Sequence, residues 1–311
     1  MAGWVSLLVG FSAPVAFAAF AFGEYSKPWW PACPPKLSGT VLLLVLSAMH
    51  AAHVQRGAWV QNVAVLLKVV LIGVFAGLAL MRLQVGSAPA APEIPISKFA
   101  VSLMWVSFSY SGWNAAIYIA GEVRDAERNL PRAMLFGTAL VMALYLVLNF
   151  IFVYSAPVAD LAGKAEVGRI AAQALGGSGW ANAVTSLVAL VLVSSVSAQV
   201  MAGPRVSAKM AADGYLPQWL AMKGGPPRAA ILLQAGIALV MLWSTTFEWL
   251  LTYIGFTLGL STAVTVLGLI VLRLREGAQL RVPGWPWVPG LFLASVSTIT
   301  VLSVIGKPKA T

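Results

Sequence analysis

Cysteine and acidic residues are scarce in this sequence, and each shortage excludes something. A single cysteine in 311 residues rules out an internal disulfide framework and leaves a cysteine-rich metal site without ligands. Charged residues make up 10% of the chain, far below the ~25% usual for a soluble globule. No glycine-rich phosphate loop follows a strand, and neither an HExxH pair nor a nucleophile elbow occurs, so no motif for an enzyme or a bound cofactor is present. What remains is apolar: 59% of the residues are hydrophobic, which places the chain in a bilayer. The excess of 20 Lys and Arg over 10 Asp and Glu is then read as basic loops on one membrane face, not as a nucleic-acid site.

About 20 apolar residues cross a bilayer core, and nine runs meet that length approximately: Trp4 to Gly23, Leu37 to Val54, Trp59 to Met81, Phe99 to Ala120, Ala133 to Ala156, Ala181 to Gly203, Ala229 to Ser244, Trp249 to Leu272 and Pro286 to Ile305. An all-α, polytopic membrane protein is expected. Trp4, Trp29, Trp30, Trp180, Trp285 and Trp287 stand near proposed span ends, as in interfacial aromatic belts. Ala16-Phe17-Ala18 superficially resembles a cleavage site, but no basic residue precedes the first run, which reads as an uncleaved span. The loops at 121–132, 204–228 and 273–285 are the richest in Lys and Arg and fall on one side, which assigns the amino end to the cytoplasm and the carboxyl end outside. Pro131 is expected just inside the start of the fifth helix. The stretch Gly203 to Pro217 is expected to form a separate amphipathic helix on the inner membrane surface, with Val206, Met210 and Tyr215 toward one face.

One stretch breaks the apolar pattern in mid-span: Phe108-Ser-Tyr-Ser-Gly-Trp-Asn114. An unpaired backbone group in hydrocarbon costs several kcal/mol, so a break there must be buried in protein or line a polar cavity. Discontinuous helices of transporters present freed carbonyls to cations in this way; a packing kink is the alternative, since Gly and Ser are common at helix contacts. Lys68 is the one ionisable residue deep in a span, where a lysine costs ~2.5–3.5 kcal/mol. It reads either as an ion-site or proton-binding group or as a side chain snorkelling to the interface. Ser194, Ser195, Ser197 and Gln199 make the sixth span polar, for a cavity or for interhelical bonding. His50 and His53 share a helix face and could be metal ligands of a membrane enzyme, though without a nearby carboxylate or thiolate they read as interfacial or structural. Glu24 and Glu122 close spans at the interface, where either could gate.

The motif at 108–114, continuing through Gly121-Glu122 into Arg128-Asn-Leu-Pro-Arg132, resembles amino acid permeases of the amino acid, polyamine and organocation superfamily, nearest the L-type branch. Gln61 to Lys68, Gly203-Pro-Arg205 with Asp213-Gly214, and Arg281 to Pro286 reinforce the resemblance, which covers nearly the whole chain. It implies a LeuT-like fold of twelve spans, the first ten forming two five-helix inverted repeats. On that plan the nine spans are the third to the eleventh: residues 1–82 keep three helices of the first repeat, 99–273 hold the complete second repeat with its broken helix at 99–120, and 286–305 add one helix. It further implies secondary transport of amino acids or related amines across a plasma or bacterial inner membrane. Carbonyls near Phe108, Ser109 and Ser111 would take the substrate ammonium, and Phe108, Trp113 and Asn114 would shape the pocket, with Tyr110 and Gly112 in the same break. Lys68 would stand where sodium-dependent relatives of the fold hold sodium, with Ser194 and Ser195 lining that region, which favours exchange or proton coupling. The family's first span, which binds the substrate carboxylate, has no counterpart, so the sequence reads as a truncated permease that either works within a longer chain or is transport-inactive alone. Cys33 resembles the outside-loop cysteine through which heteromeric members join an accessory subunit by a disulfide; a lone free thiol is the other reading.

Overall fold

The structure is a computed structural model that describes residues 2–52, 57–84, 95–112, 123–164, 166–222, 224–277 and 282–305. Among them the long elements are all helices: α1 Gly3–Ser26, α2 Pro35–Ala52, α3 Gly57–Arg82, α4 Ile96–Ser109, α5 Ala126–Ser155, α6 Val167–Ala212, α7 Arg228–Ser244, α8 Phe247–Glu276 and α9 Trp287–Ile305. Six of these, α1, α2, α3, α5, α6 and α8, are long and apolar enough to cross a membrane, and α7 and α9 are shorter apolar helices. Each expected span falls on a helix; of the fourth, residues 99–109 are helical, 110–112 form a turn and 113–120 lie outside the described residues.

The bundle is organised around α1. Its small residues Ala13, Ala16 and Ala18 are buried with Val15, and they pack with Leu43 and Leu46 of α2, Val196 and Val200 of α6, Ile231, Ala238 and Leu242 of α7 and Leu250 and Ile254 of α8. Small side chains let helix backbones approach, which is how packing is obtained where lipid supplies no hydrophobic drive. The approach is closest at Gly39 of α2, where a Cβ would lie 2.4 Å from the main-chain oxygen of Ala19. Near its start α1 widens into a π-helical stretch over Ser6–Ser12, a feature with no counterpart in the expected pattern.

Two sequence expectations are corrected. No separate surface helix forms over 203–217; α6 runs on to Ala212 with Pro204 inside it. The reason is packing. Gly203, Pro204, Ser207, Ala208 and Ala211 form the buried face, whereas Val206 and Met210 are half-buried and Tyr215 is exposed. The break in α6 lies at its other end, at Gly177, whose φ of 75° and ψ of −163° kink the helix inside what the sequence marks as a loop. Pro131, in turn, is not at a helix start. Asp125 takes a left-handed conformation, its carbonyl accepts from the amides of Arg128 and Asn129, and α5 begins at Ala126, which leaves Pro131 inside the helix. Asn129 Nδ2 also donates to the Arg124 carbonyl at 2.7 Å, closing the turn before the apolar run begins.

Candidate functional site

Helix α4 stops where its composition changes from apolar to small and polar. It ends at Ser109; Tyr110 leaves helical geometry with φ −96° and ψ 4°, and Gly112 has φ 101°, in the region that favours glycine. A helix of 14 residues spans ~21 Å, less than the ~30 Å core. The serines of the last turns turn back on their own helix: Ser107 Oγ donates to the Leu103 carbonyl at 2.9 Å and Ser109 Oγ to the Trp105 carbonyl at 3.2 Å. The Ser111 amide closes on the Phe108 carbonyl at 2.9 Å. The turn itself is open, since Ser109, Ser111 and Gly112 are exposed and a Cβ on Gly112 would meet nothing within 4 Å. Trp113, Asn114, Gly121 and Glu122 lie outside the described residues.

The two sides of this turn are held differently. Phe108 packs edge-on to Phe17 of α1 at 5.8 Å, and Phe17 stacks on Phe247 of α8 at 4.5 Å, so the aromatic side of the break is tied to the bundle centre. On the other side Tyr145 of α5 donates its hydroxyl to the Ser109 carbonyl at 3.1 Å, while its ring meets Tyr110 edge-on at 5.3 Å. The Ser109 carbonyl at the end of α4 is thereby held by a side chain of another helix. Sequence reasoning missed Tyr145. A signal existed: Tyr145 and Asn149 are polar groups four residues apart in an otherwise apolar run, and Asn149 Nδ2 donates to the Tyr145 carbonyl at 2.8 Å.

Lys68 and the serines of α6 lie away from this turn, along a second wall. Between α3 and α6 runs a groove of about 380 Å³ bounded by Leu71 to Leu78 and by Trp180 to Leu190. Arg82 lies over the Trp180 ring at 4.8 Å, and Phe75 meets the same ring edge-on at 6.2 Å. Lys68 precedes the groove-lining part of α3 by one turn, and Ser194 and Ser195 follow that of α6 by one turn. Lys68 is half-buried, and among the described residues its ammonium has no hydrogen bond or ion pair. Ser194 is buried and donates to the Val191 carbonyl at 2.9 Å; Ser195 is half-buried.

The remaining candidates have local roles. His50 Nε2 and Ser197 Oγ are 2.8 Å apart, joining α2 to α6, and His53 lies outside the described residues. Among the described residues no group of three or more His, Cys, Asp or Glu gathers into a metal site. Glu24 pairs with Lys27 one turn on. Cys33 is half-buried and accepts from Ser38 Oγ at 3.1 Å.

Over 292 residues the chain is 28% identical to "Large neutral amino acids transporter small subunit 2" of Mus musculus, covering 88% of this chain and 55% of that one. It is 28% identical over 326 residues to "Asc-type amino acid transporter 1" of Homo sapiens, covering 98% and 62%, and 26% identical over 322 residues to "b(0,+)-type amino acid transporter 1" of Homo sapiens, covering 98% and 66%. The chain thus spans between about half and two thirds of the length of these relatives. A family model described as amino acid permease matches residues 1–311. With its membrane-length helices and a match over its whole length, the chain belongs to the amino acid permease family, a family of multi-pass membrane transporters and not of enzymes.

Proposed function

We propose that this chain carries the ammonium-binding half of a secondary transporter for amino acids or related amines. The observation that supports the reading best is the end of α4 at Ser109 in mid-span, with the Ser109 carbonyl accepting from Tyr145. A carbonyl dipole fixed before the substrate arrives binds an ammonium with little reorganisation, and in the low dielectric of a membrane interior its attraction is weakly screened. Residues 108–114 form the substrate contact; Phe108 and Trp113 wall it, and Asn114 completes it. Lys68, with Ser194 and Ser195, supplies a fixed or titrating positive charge in place of a bound sodium ion, so that transport runs by exchange or proton coupling. Alternating access then rocks helices against one another around the broken span. In this plan residues 1–82 contribute three helices of one inverted repeat, 99–273 form the other, and the basic loops face the cytoplasm. Cys33 is read as a free thiol held by Ser38, not as the link to an accessory subunit.

A second reading has one observation in its favour, the 55–66% of each relative's length that the chain matches. On that reading these residues insert into the bilayer but do not transport unaided. Uptake of radiolabelled amino acids into liposomes separates the two. Saturable uptake or exchange by the chain alone supports the first, and uptake that appears only when two upstream spans are added supports the second. Absence of uptake in both forms, with correctly inserted protein, contradicts the transport reading.

A further inference from the structure

Where α2 ends, α6 nears its end and α7 begins, two arginines and a histidine gather around one cleft. His50 and Arg205 line it together with Pro226 and Pro227, and its volume is about 20 Å³, room for a single water-sized group. From beside it Arg228, the first residue of α7, donates through Nε to the main-chain oxygen of Ala51 at 3.0 Å. That bond uses one of its guanidinium donors, and among the described residues the others have no partner. Among the described residues no carboxylate lines the cleft. The next acid along α6, Asp213, is taken by Lys209 at 2.7 Å, and among the described residues neither Arg205 nor Arg228 has an ion-pair partner. Helix α7 begins at the cleft without a side-chain cap, so its positive end adds to the same field.

The connection from α6 to α7 fixes the depth of this cleft. Leu216 and Leu220 pack on Ala208, Ala211 and Ala230, while Tyr215, Trp219 and Met222 stand 73%, 63% and 58% exposed. Aromatic side chains presented in this way mark the level of lipid headgroups. Beside the cleft the flanks of α2 and α7 expose Val45, Met49 and Leu232 to hydrocarbon. Polar phosphate chemistry and acyl-chain chemistry are therefore offered side by side.

We propose that this cleft binds the phosphate of an anionic membrane lipid, one oxygen entering between His50 and Arg205, Arg228 alongside, and the acyl chains lying against α2 and α7. Basic pockets between transmembrane helices suit anionic headgroups. The cleft is too small to enclose a free phosphate, so the chains must contribute to binding. This site is separate from the break in α4 and stands whether or not the chain transports.

The test titrates short-chain phosphatidylglycerol into the detergent-purified chain while thermal unfolding is followed, with phosphatidylcholine and inorganic phosphate in parallel. Phosphatidylglycerol is expected to raise Tm saturably. Arg205→Gln raises the half-saturating concentration about fivefold, the factor equivalent to the ~1 kcal/mol of one basic residue beside anionic lipid. Lys209→Gln, on the same helix but outside the cleft, leaves it unchanged. Equal weakening by the two variants, an equal shift with phosphatidylcholine, or the full shift with inorganic phosphate alone overturns the proposal. Native mass spectrometry of the unaltered chain, equilibrated with equal amounts of the two lipids, keeps the test independent of how Arg205→Gln folds: preferential retention of phosphatidylglycerol supports the site, and equal retention overturns it.

Discussion

Helices α1 and α5 are both apolar enough to cross a membrane, yet 61% of the most apolar stretch of α1 is buried against 6% of that of α5. Hydropathy does not separate them, because lipid and protein interior are equally apolar solvents for their side chains. Small residues do. Helix α1 is rich in alanine and meets Gly39 across a backbone-to-backbone contact, whereas α5 exposes Leu135, Phe136 and Leu146. In the packed region steric fit decides what a residue can be; along the open wall of α3 and α5 the polar exceptions, Lys68, Tyr145 and Asn149, carry the information. The broken α4 joins the two, its Phe108 fixed to the packed side and its Ser109 carbonyl held from the open one.

The contrast can be broken most severely at a glycine. Gly39→Leu drives a side chain into the Ala19 carbonyl and should cost at least the ~1–3 kcal/mol of an overpacked core, so little monodisperse protein survives solubilisation. Gly73→Leu in α3, where a Cβ meets nothing within 4 Å, should leave Tm nearly unchanged; equal damage from both would remove the distinction between the two regions. At the junction, Ser111→Pro or Gly112→Leu should abolish amino acid uptake while insertion and Tm persist, measured in whichever form of the chain transports. Near-normal uptake by both variants would sink the assignment of the break as the substrate site. On the open wall, Lys68→Ala should reduce uptake and flatten its pH dependence, and an unaltered pH profile would favour a lysine that only snorkels. Tyr145→Phe keeps the ring against Tyr110 and deletes one hydrogen bond worth ~0.5–1.5 kcal/mol, for a two- to tenfold loss of uptake. Cys33→Ser is the smallest change: uptake is expected to stay at the unaltered level, and its loss would reopen a structural or linking role for that thiol.

Much of this architecture was legible in the residues, because a run of ~20 apolar side chains has few other uses. The break was legible too, since Ser-Tyr-Ser-Gly places small polar groups and a conformationally free glycine where a spanning helix gains nothing from them. The ends of α6 were not. Pro204 reads as a stop, but a proline inside a bundle is tolerated where the helix is packed on its neighbours, and here Gly203 and Pro204 are buried and Gln234 of α7 bonds the α6 backbone close by, at the Gln199 carbonyl, 3.3 Å. The start of α5 escaped for a related reason: Asp125 and Asn129 fix the turn by local hydrogen bonds before any apolar periodicity begins. Tyr145 was missed because its partner lies 36 residues away, and no periodicity within α5 encodes a bond to another helix.

The single cysteine makes the most direct measurement clean. In a Cys33→Ser background, Ser111→Cys is treated with a membrane-impermeant thiol reagent, with and without a mixture of common amino acids and with the corresponding acids that lack the amine. The account expects position 111 to be labelled from water, protected by the amino acids and left unprotected by the amine-free acids. A thiol at 111 that is never labelled, or whose labelling no amino acid slows, would contradict an ammonium site at the broken helix.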